Sequence, residues 1–387
     1  MIRVVHVITD LDVGGAEMTL ARLLTRPNRH STAVAVVALG SRGPLAARIE
    51  AAGVPVFALG VRAGASAAVA LWRLVSLLRR FRPDVVQTWL YHADVAGLVA
   101  GTIARVPHVV WNIRCAELDP RDHPRSLPLL LRALALMSGR PAAVVCNSEA
   151  GRRAHERLGY TPRRWEIIAN GIDTDTFRPS ADARRHLRRE LGLDANARLV
   201  GLLARFHPMK DHITFLEAAK IISASKTDVH FVAAGRGVPE AAAIEQWLKR
   251  SGTTGYVHLL HEQAEPSRFL AALDVAVSSS YGEAFPNVVA EAMACGTPCV
   301  ATDVGESARI IANAGFVVPR REPAALAAAV VRVLDLDAAA RAAVQTEARQ
   351  RIVSNFSIDR AAARFDDLYA DIAGVRMNSS DASICVG

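Results

Sequence analysis

Short runs of β-branched and other apolar residues alternate with longer stretches of helical period along almost the whole chain. That alternation predicts parallel sheets with helices on both faces. A first series of strands is expected at residues 4–8, 32–39, 54–57, 84–88, 108–112 and 143–147. After a segment of turn formers at 170–179 and the basic run ADARRHLRRELGL, the rhythm restarts. The second series falls at 199–204, 229–233, 257–259, 275–278, 298–301 and 316–318. The expected fold class is therefore α/β, with two Rossmann-like, doubly wound parallel-sheet domains, residues 1–178 and 179–353. Open sheets of this kind bind ligands outside the carboxyl ends of their strands. A cleft lined by both sets of strand ends is the expected site.

The length, 387 residues and 41.5 kDa, suits two domains better than one core. With 51% hydrophobic residues, 22% charged and a mean hydropathy of +0.18, the chain can bury two cores. The opening MIRVVHVITD turns polar at Thr9, and the longest apolar stretch, 127–137, already contains Arg132. Neither a signal peptide nor a spanning helix is expected. Cysteines at 115, 146, 295, 299 and 385 have no paired zinc-ligand spacing, which predicts reduced thiols in a cytoplasm. The last dozen residues, RMNSSDASICVG, read as a polar tail.

The net charge of +8 is unevenly placed. Residues 1–178 hold 23 Arg, no Lys and 14 acidic residues, whereas the remainder holds 23 basic and 24 acidic. A basic half can meet nucleic acid, anionic lipid or an anionic small molecule. No nucleic-acid motif is present and aromatic residues are only 5%, so nucleic acid is not an expected partner.

Candidate chemistry clusters where strands end. Gly14 and Gly15 lie between the first strand and a helix, where backbone amides can approach an anion and the helix dipole favours negative charge. The alternative is simply a tight βα turn, since the spacing is neither GxGxxG nor a Walker loop. In the second series the first strand ends in ARFHPMKD, which places Arg205 and Lys210 together, with Asp211 as a helix N-cap. Two such cations suit a diphosphate. The segment SSSYGEAFPNVVAEAMACGTPCV carries Glu283 in a loop, Asn287 as an expected N-cap, and Glu291 on the helix, seven residues separating the glutamates. Loop amides suit phosphate and paired carboxylates suit hydroxyls, a combination that describes a sugar nucleotide. An ordinary exposed glutamate is the alternative for Glu291.

SYGEAFPNVVAEAMACGTPCVATDVGE resembles the E-x7-E signature of the family 4 retaining glycosyltransferases of bacterial polysaccharide biosynthesis. ARFHPMKDHITFLEAA, NGIDTDTFRP and the GGAE opening resemble other blocks of the same family, in the same order. The resemblance implies a GT-B fold, with the acceptor held mainly by the first domain and the nucleotide sugar by the second. It implies a helix crossing back at 354–373, with 374–387 as a flexible tail. It assigns Arg205 and Lys210 to the donor diphosphate, Glu283 to donor-sugar hydroxyls and Glu291 to the ribose. Phe285, Asn287 and Val288 lie where backbone groups contact sugar and phosphate, and Gly15, beside Gly14, matches a glycine close to the diphosphate. His92 aligns with a histidine beside the donor sugar and is grouped with Glu283, Arg205 and Lys210 as catalytic. A structural histidine is the competing explanation. Arg114 and Asn147 are assigned to the acceptor. Ala284 and Pro286 depart from the family pattern, as do Arg236 and His261 in the nucleotide-base region.

Three DxD strings occur, at 10–12, 173–175 and 335–337. Because Arg205 and Lys210 supply positive charge, no metal and no cofactor beyond the nucleoside diphosphate sugar, a UDP-sugar, is expected. The implied reaction is hexosyl transfer with retention to a hydroxyl of a glycan, lipid-linked, in exopolysaccharide or surface-polysaccharide synthesis. Arg121, Arg125, Arg132 and Arg140 around the leucine-rich 127–137 segment suit an anionic membrane surface, with the protein cytoplasmic and peripheral. Two rivals are a UDP-sugar 2-epimerase on the same fold and a non-catalytic basic binding or scaffold protein.

Overall fold

The expected strands form, because their apolar runs are covered on both faces. The computed structural model describes residues 2–26, 32–61, 66–116, 126–251 and 255–375. Arg121, Arg125 and the tail beyond residue 375 lie outside the described residues. The chain divides into two compact units, 1–171 with 358–387, and 172–357.

The first unit has strands β1 (Ile2–Ile8), β2 (Thr32–Ala38), β3 (Val56–Ala58), β4 (Val85–Trp89), β5 (His108–Ile113), β6 (Ala143–Cys146) and β7 (Trp165–Ile167). They are joined through α1 (Gly15–Thr25), α2 (Leu45–Ala51), α3 (Ser66–Phe81), α4 (Tyr91–Ala104), α5 (Leu127–Met137) and α6 (Glu149–Arg157). All seven strands are parallel, in the order β3-β2-β1-β4-β5-β6-β7. β7 is additional to the strands expected from the sequence.

The second unit has β8 (Arg198–Leu203), β9 (Val229–Ala234), β10 (Val257–Leu260), β11 (Val275–Ser278), β12 (Cys299–Thr302) and β13 (Gly315–Val318). Its helices are α7 (Ala181–Glu190), α8 (His212–Ser223), α9 (Ala242–Ser251), α10 (Pro266–Ala272), α11 (Asn287–Ala294), α12 (Ser307–Ile311), α13 (Pro323–Leu334) and α14 (Ala338–Phe356). The parallel sheet runs β10-β9-β8-β11-β12-β13. The last helix, α15 (Ile358–Ile372), returns to the first unit.

Strands such as β4 (VVQTW) and β11 (VAVS) are buried at every position, as expected of parallel sheets covered on both faces. On one face of the first sheet, Leu20, Ile49 and Trp89 pack with Phe365 and Tyr369 of α15. On the other, Trp111 packs with Leu74, Leu98 and Leu134 of α3, α4 and α5. In the second unit Phe231 and Val275 pack with Phe215, Trp247 and Val330 of α8, α9 and α13. The basic run contributes Arg188 of α7, which is buried. It donates to Asp274 Oδ2 at 2.6 Å and to the carbonyls of Ala197 and Ala272 at 2.8 and 3.0 Å.

The boundary between units falls at 171/172, not at 178/179. The turn formers of 172–178 are tied to α14: Ile172 N–H donates to the Phe356 carbonyl at 2.8 Å, and Arg349 donates to the Thr174 and Phe177 carbonyls at 3.2 and 3.0 Å. Likewise residues 354–356 are the last turn of α14 and not the start of the returning helix, which begins at Ile358 after extended Ser357.

Candidate active site

In each sheet the strand order reverses once, between β1 and β4 and between β8 and β11. Connections leave such a point in opposite directions, so the carboxyl ends of the two central strands are left uncovered for a ligand.

In the second unit, the loop after β8 and the loop after β11 are stitched together. Ser279 Oγ donates to the carbonyls of Lys210 and Asp211 at 3.0 and 2.9 Å, and Tyr281 N–H donates to the Met209 carbonyl at 3.0 Å. Asp211 caps α8 as expected, accepting from Thr214 N–H at 3.3 Å and from the Thr214 hydroxyl at 2.7 Å. This fixes Lys210, whose ammonium donates to Glu283 Oε1. Glu283 also accepts from the Ser280 hydroxyl at 2.9 Å. Side-chain exposures of 25% for Lys210 and 16% for Glu283 leave both within reach of a ligand. Arg205 is exposed beside them in sequence, on the same strand-end loop.

The glutamates behave differently. Glu291 is buried on α11. Asn287 is the first residue of α11, not its cap, because Pro286 takes the N-cap position, and Pro286 offers no side-chain cap. Phe285 is buried with its ring 5.9 Å from that of Phe356, so its side chain serves packing and only its backbone is left for a ligand. Val288 is half-buried. Sequence reasoning passed over Gly305 and Gly235. Gly305 has φ +54°, and a Cβ there would lie 2.4 Å from the Glu283 carbonyl oxygen, while Glu306 N–H donates to the Ala284 carbonyl at 3.1 Å. Gly235 has φ +152°, and its Cβ would lie 2.0 Å from the Ala204 oxygen. These are the close approaches that hold the cation and carboxylate loops. Where the base region departs from the family, Arg236 accepts from Phe206 N–H at 2.8 Å through its carbonyl and His261 lies 3.1 Å from Glu240 on the surface.

In the first unit, Gly14 is the N-cap of α1 without a side-chain bond, and a Cβ on Gly15 would meet nothing within 4 Å. Packing therefore does not demand glycine at 15. Asp10 accepts from Asp12 N–H at 3.2 Å, and Glu17 is pushed up, first by burial and then by Asp10 and Asp12. The other two DxD strings are occupied structurally. Asp173 accepts from the Thr176 hydroxyl at 2.7 Å, Asp335 pairs with Lys226 at 2.6 Å, and Asp337 caps α14 at Ala340 N–H, 2.8 Å. Among the described residues, no group of three or more His, Cys, Asp or Glu is placed to hold a metal.

β4 ends at a strained turn. Leu90 has φ +72°, and α4 starts immediately after it, with His92 exposed in the first turn. The neighbouring side chain pins that turn. His155 Nδ1 is 2.8 Å from the Gly151 carbonyl and must donate to it, so Nε2 accepts from the Tyr91 hydroxyl at 2.8 Å. The Tyr91 oxygen in turn lies 2.8 Å from Cys115 Sγ. Burial pushes Tyr91 up, Cys115 up to about 11 and His155 down, so all three are neutral near pH 7. One turn on, Asp94 is fully buried, accepts from the Thr88 hydroxyl, and is pushed up to about 8 by burial.

Arg114 and Asn147 follow the adjacent strands β5 and β6, one position past the pairing of Ile113 with Cys146. The Arg114 guanidinium lies 4.8 Å over Trp89 and 5.8 Å over Phe365, donates to Asn170 Oδ1 at 2.5 Å, and is pulled down to about 9 by burial. Its Nε and Nη2, and Asn147 Oδ1, find no partner among the described residues. The structure thus brings Lys210 and Glu283 into contact within the second unit. It places His92, Arg114 and Asn147 at neighbouring strand ends within the first.

Residues 13–176 match the model of Glycosyltransferase Family 4, and residues 197–336 match that of Glycosyl transferases group 1. Over 305 residues, 77% of this chain and 78% of the relative, the chain is 25% identical to the UDP-Gal:alpha-D-GlcNAc-diphosphoundecaprenol alpha-1,3-galactosyltransferase of Escherichia coli. The crystal structure of Anabaena Alr3699/HepE in complex with UDP has a TM-score of 0.82 at 23% identity, covering 96% of this chain and 100% of that one. A glycosyltransferase from Rickettsia africae has a TM-score of 0.81 at 15% identity, covering 96% and 98%. Both structural likenesses are of fold, the two-sheet GT-B architecture.

Proposed function

The chain belongs to the family 4 glycosyltransferases of GT-B fold, and on that premise we propose that it moves a hexosyl group from a UDP-sugar, with retention, to a hydroxyl of a lipid-linked glycan in surface-polysaccharide or exopolysaccharide synthesis. The observation that carries the donor half of this reading is the Lys210–Glu283 contact at the switch point of the second sheet. A cation and a carboxylate side by side match the two adjacent parts of a sugar nucleotide that differ most in chemistry: an anionic diphosphate and the sugar's ring of hydroxyls. Lys210 and exposed Arg205 take the diphosphate, Glu283 orients the sugar, and Glu291 takes the ribose. As the bond from the anomeric carbon to phosphate breaks, negative charge grows on the leaving diphosphate, and preorganised cations stabilise it better than water can. The acceptor hydroxyl bonds to the anomeric carbon on the face the diphosphate leaves, and its proton passes to the departing phosphate oxygen. With charge met by side chains, the step needs no metal.

Support for the donor base and the acceptor comes from relatives. The E. coli relative is named for UDP-Gal and a GlcNAc-diphosphoundecaprenol, and the Anabaena structure holds UDP. Arg114 and Asn147 of the first unit are the residues we assign to the acceptor, and His92 is the one we assign beside the donor sugar. No helix among the described residues is long and apolar enough to cross a membrane, so a lipid-linked acceptor would be met from a peripheral position. The test is a thermal-shift panel of nucleotide sugars followed by product analysis. A ligand that binds only the native state raises the melting point through RT ln(1 + [L]/Kd). UDP-sugars are expected to shift the transition and guanosine or adenosine counterparts to leave it in place. Formation of an epimerised nucleotide sugar without acceptor, or no shift with any donor, would overturn the reading.

A further inference from the structure

We propose that a cavity in the second unit, at the opposite end of its sheet from Lys210 and Glu283, binds a small phosphate monoester with an apolar body. The cavity has a volume of about 730 Å³ and is walled by α7, α10, the turn after α11, and α14. Sites for small molecules fall in that size range. Leu273 and Thr297, which line it, come just before β11 and β12, whereas Lys210 and Glu283 follow the carboxyl ends of β8 and β11. The strands are parallel, so the cavity lies at their amino ends and its ligand is not the sugar nucleotide.

The wall is cationic. Among the described residues that line it none is acidic, and two are arginines, Arg184 of α7 and Arg349 of α14. Asp274, behind the wall, accepts from Arg184 at 2.5 Å, from Arg188 at 2.6 Å and from Leu199 N–H at 2.8 Å. That carboxylate stays satisfied without Arg184, whose side chain is 39% exposed. Arg349 donates to the backbone carbonyls of Thr174, Phe177 and, at 2.6 Å, Ala294, which hold the guanidinium in place without cancelling its charge. Three guanidiniums against one carboxylate leave two positive charges, the match of a phosphate monoester dianion. Glu291, one turn before the end of α11, does not line the cavity. Planar guanidinium forks suit phosphate oxygens. Ser180 caps α7 by accepting from Ala183 N–H at 3.1 Å and keeps its hydroxyl proton to donate to a third oxygen. The apolar body has its own wall. On α14, Ala342, Thr346, Arg349 and Val353 recur at spacings of four, three and four, so one stripe faces the cavity, and Val353 is 43% exposed across from Leu273 and Pro179.

Calorimetric titration of the full chain with phenyl phosphate tests the site, with inorganic phosphate and phenol as the two halves of the probe. Phenyl phosphate should bind at least about tenfold more tightly than either half, since cations and apolar wall each meet one part of it. Arg184→Gln should weaken binding at least about tenfold, the scale of one hydrogen bond to a charged group. Thr346→Trp fills the cavity from an exposed position of α14 and should abolish binding, which tests the site independently of any effect of Arg184 on folding. Both variants should keep the wild-type melting point. Lys210→Ala should bind the probe as the wild type does, because the donor loops lie at the other end of the sheet. No binding by the wild type, binding of inorganic phosphate as tight as that of phenyl phosphate, unchanged affinity in either cavity variant, or loss of binding in Lys210→Ala overturns the proposal.

Discussion

Replacing Lys210 by Ala is the sharpest test of the donor site. The Lys210 ammonium is held by Glu283, which is also bonded to Ser280. On the proposed donor site, a diphosphate would take the ammonium over and free the carboxylate for sugar hydroxyls, so that one exchange of partners would set both groups. Loss of one preorganised charge stabiliser costs about 2.7–4 kcal/mol of transition-state stabilisation, which is roughly 100- to 1000-fold in turnover. Lys210→Ala does more than remove a cation, because it leaves Glu283 unneutralised beside the incoming diphosphate. Its affinity for UDP should therefore fall further than that of Arg205→Ala, whose side chain is exposed. Adding Glu283→Gln to Lys210→Ala should restore part of the UDP affinity while turnover stays low, a coupling that only contacting residues show. Turnover is read from UDP release and affinity from UDP titration. Near-normal turnover in Lys210→Ala, or no gain in UDP affinity from the added Glu283→Gln, refutes the exchange.

Activity should survive EDTA, since side chains meet the charge on the leaving group; loss on chelation with rescue by Mg²⁺ or Mn²⁺ contradicts this. His92→Ala, exposed after the strained Leu90 turn, should lower turnover more than UDP affinity, and equal losses in both would make the histidine structural. Asp94 is raised from 3.8 to about 8, so the folded chain keeps a proton that the unfolded chain has released. Stability is thus favoured below about pH 4 and lost as pH rises towards 8, by up to about 1.4 kcal/mol per pH unit. Asp94→Asn should flatten that slope and melt above the wild type at pH 8 but not at pH 4; an unchanged slope in thermal melts at several pH values would refute the assignment.

The loops of Lys210 and Glu283 were legible because each is local: a strand end, a few residues and a helix start lie consecutively in sequence, and the two meet as neighbouring strand ends at one switch point. β7 was not, since a strand of only three half-buried residues is too short for a pattern to stand out, and its central Glu166 is engaged by Arg164 and Arg364. The Tyr91–His155–Cys115 chain joins two strand-end segments and the last turn of α6, far apart in sequence, so no local spacing announces it. Asn287 misleads because residue type favours capping, whereas Pro286 fixes where the helix begins. The setting of Arg114 depends on Asn170 and on Phe365 of α15, contacts that only the tertiary fold creates.

The return of α15 imposes an order on biosynthesis. Phe365, Leu368 and Tyr369 complete the core around Trp89, Tyr369 donates to Gln87, and Asp366 pairs with Arg26 at 2.9 Å. The first unit therefore lacks part of its core until α15 has been made, after all of 172–357 has been translated. At about 5–20 residues per second that interval is roughly 10–40 s. Throughout it that face of the nascent first sheet has α1 and α2 but not α15 to cover it, while the second unit, contiguous in sequence, is free to fold. Truncation ahead of α15 would leave the loops of Lys210 and Glu283 intact and damage the other unit, whose strands end at Ile167, far upstream.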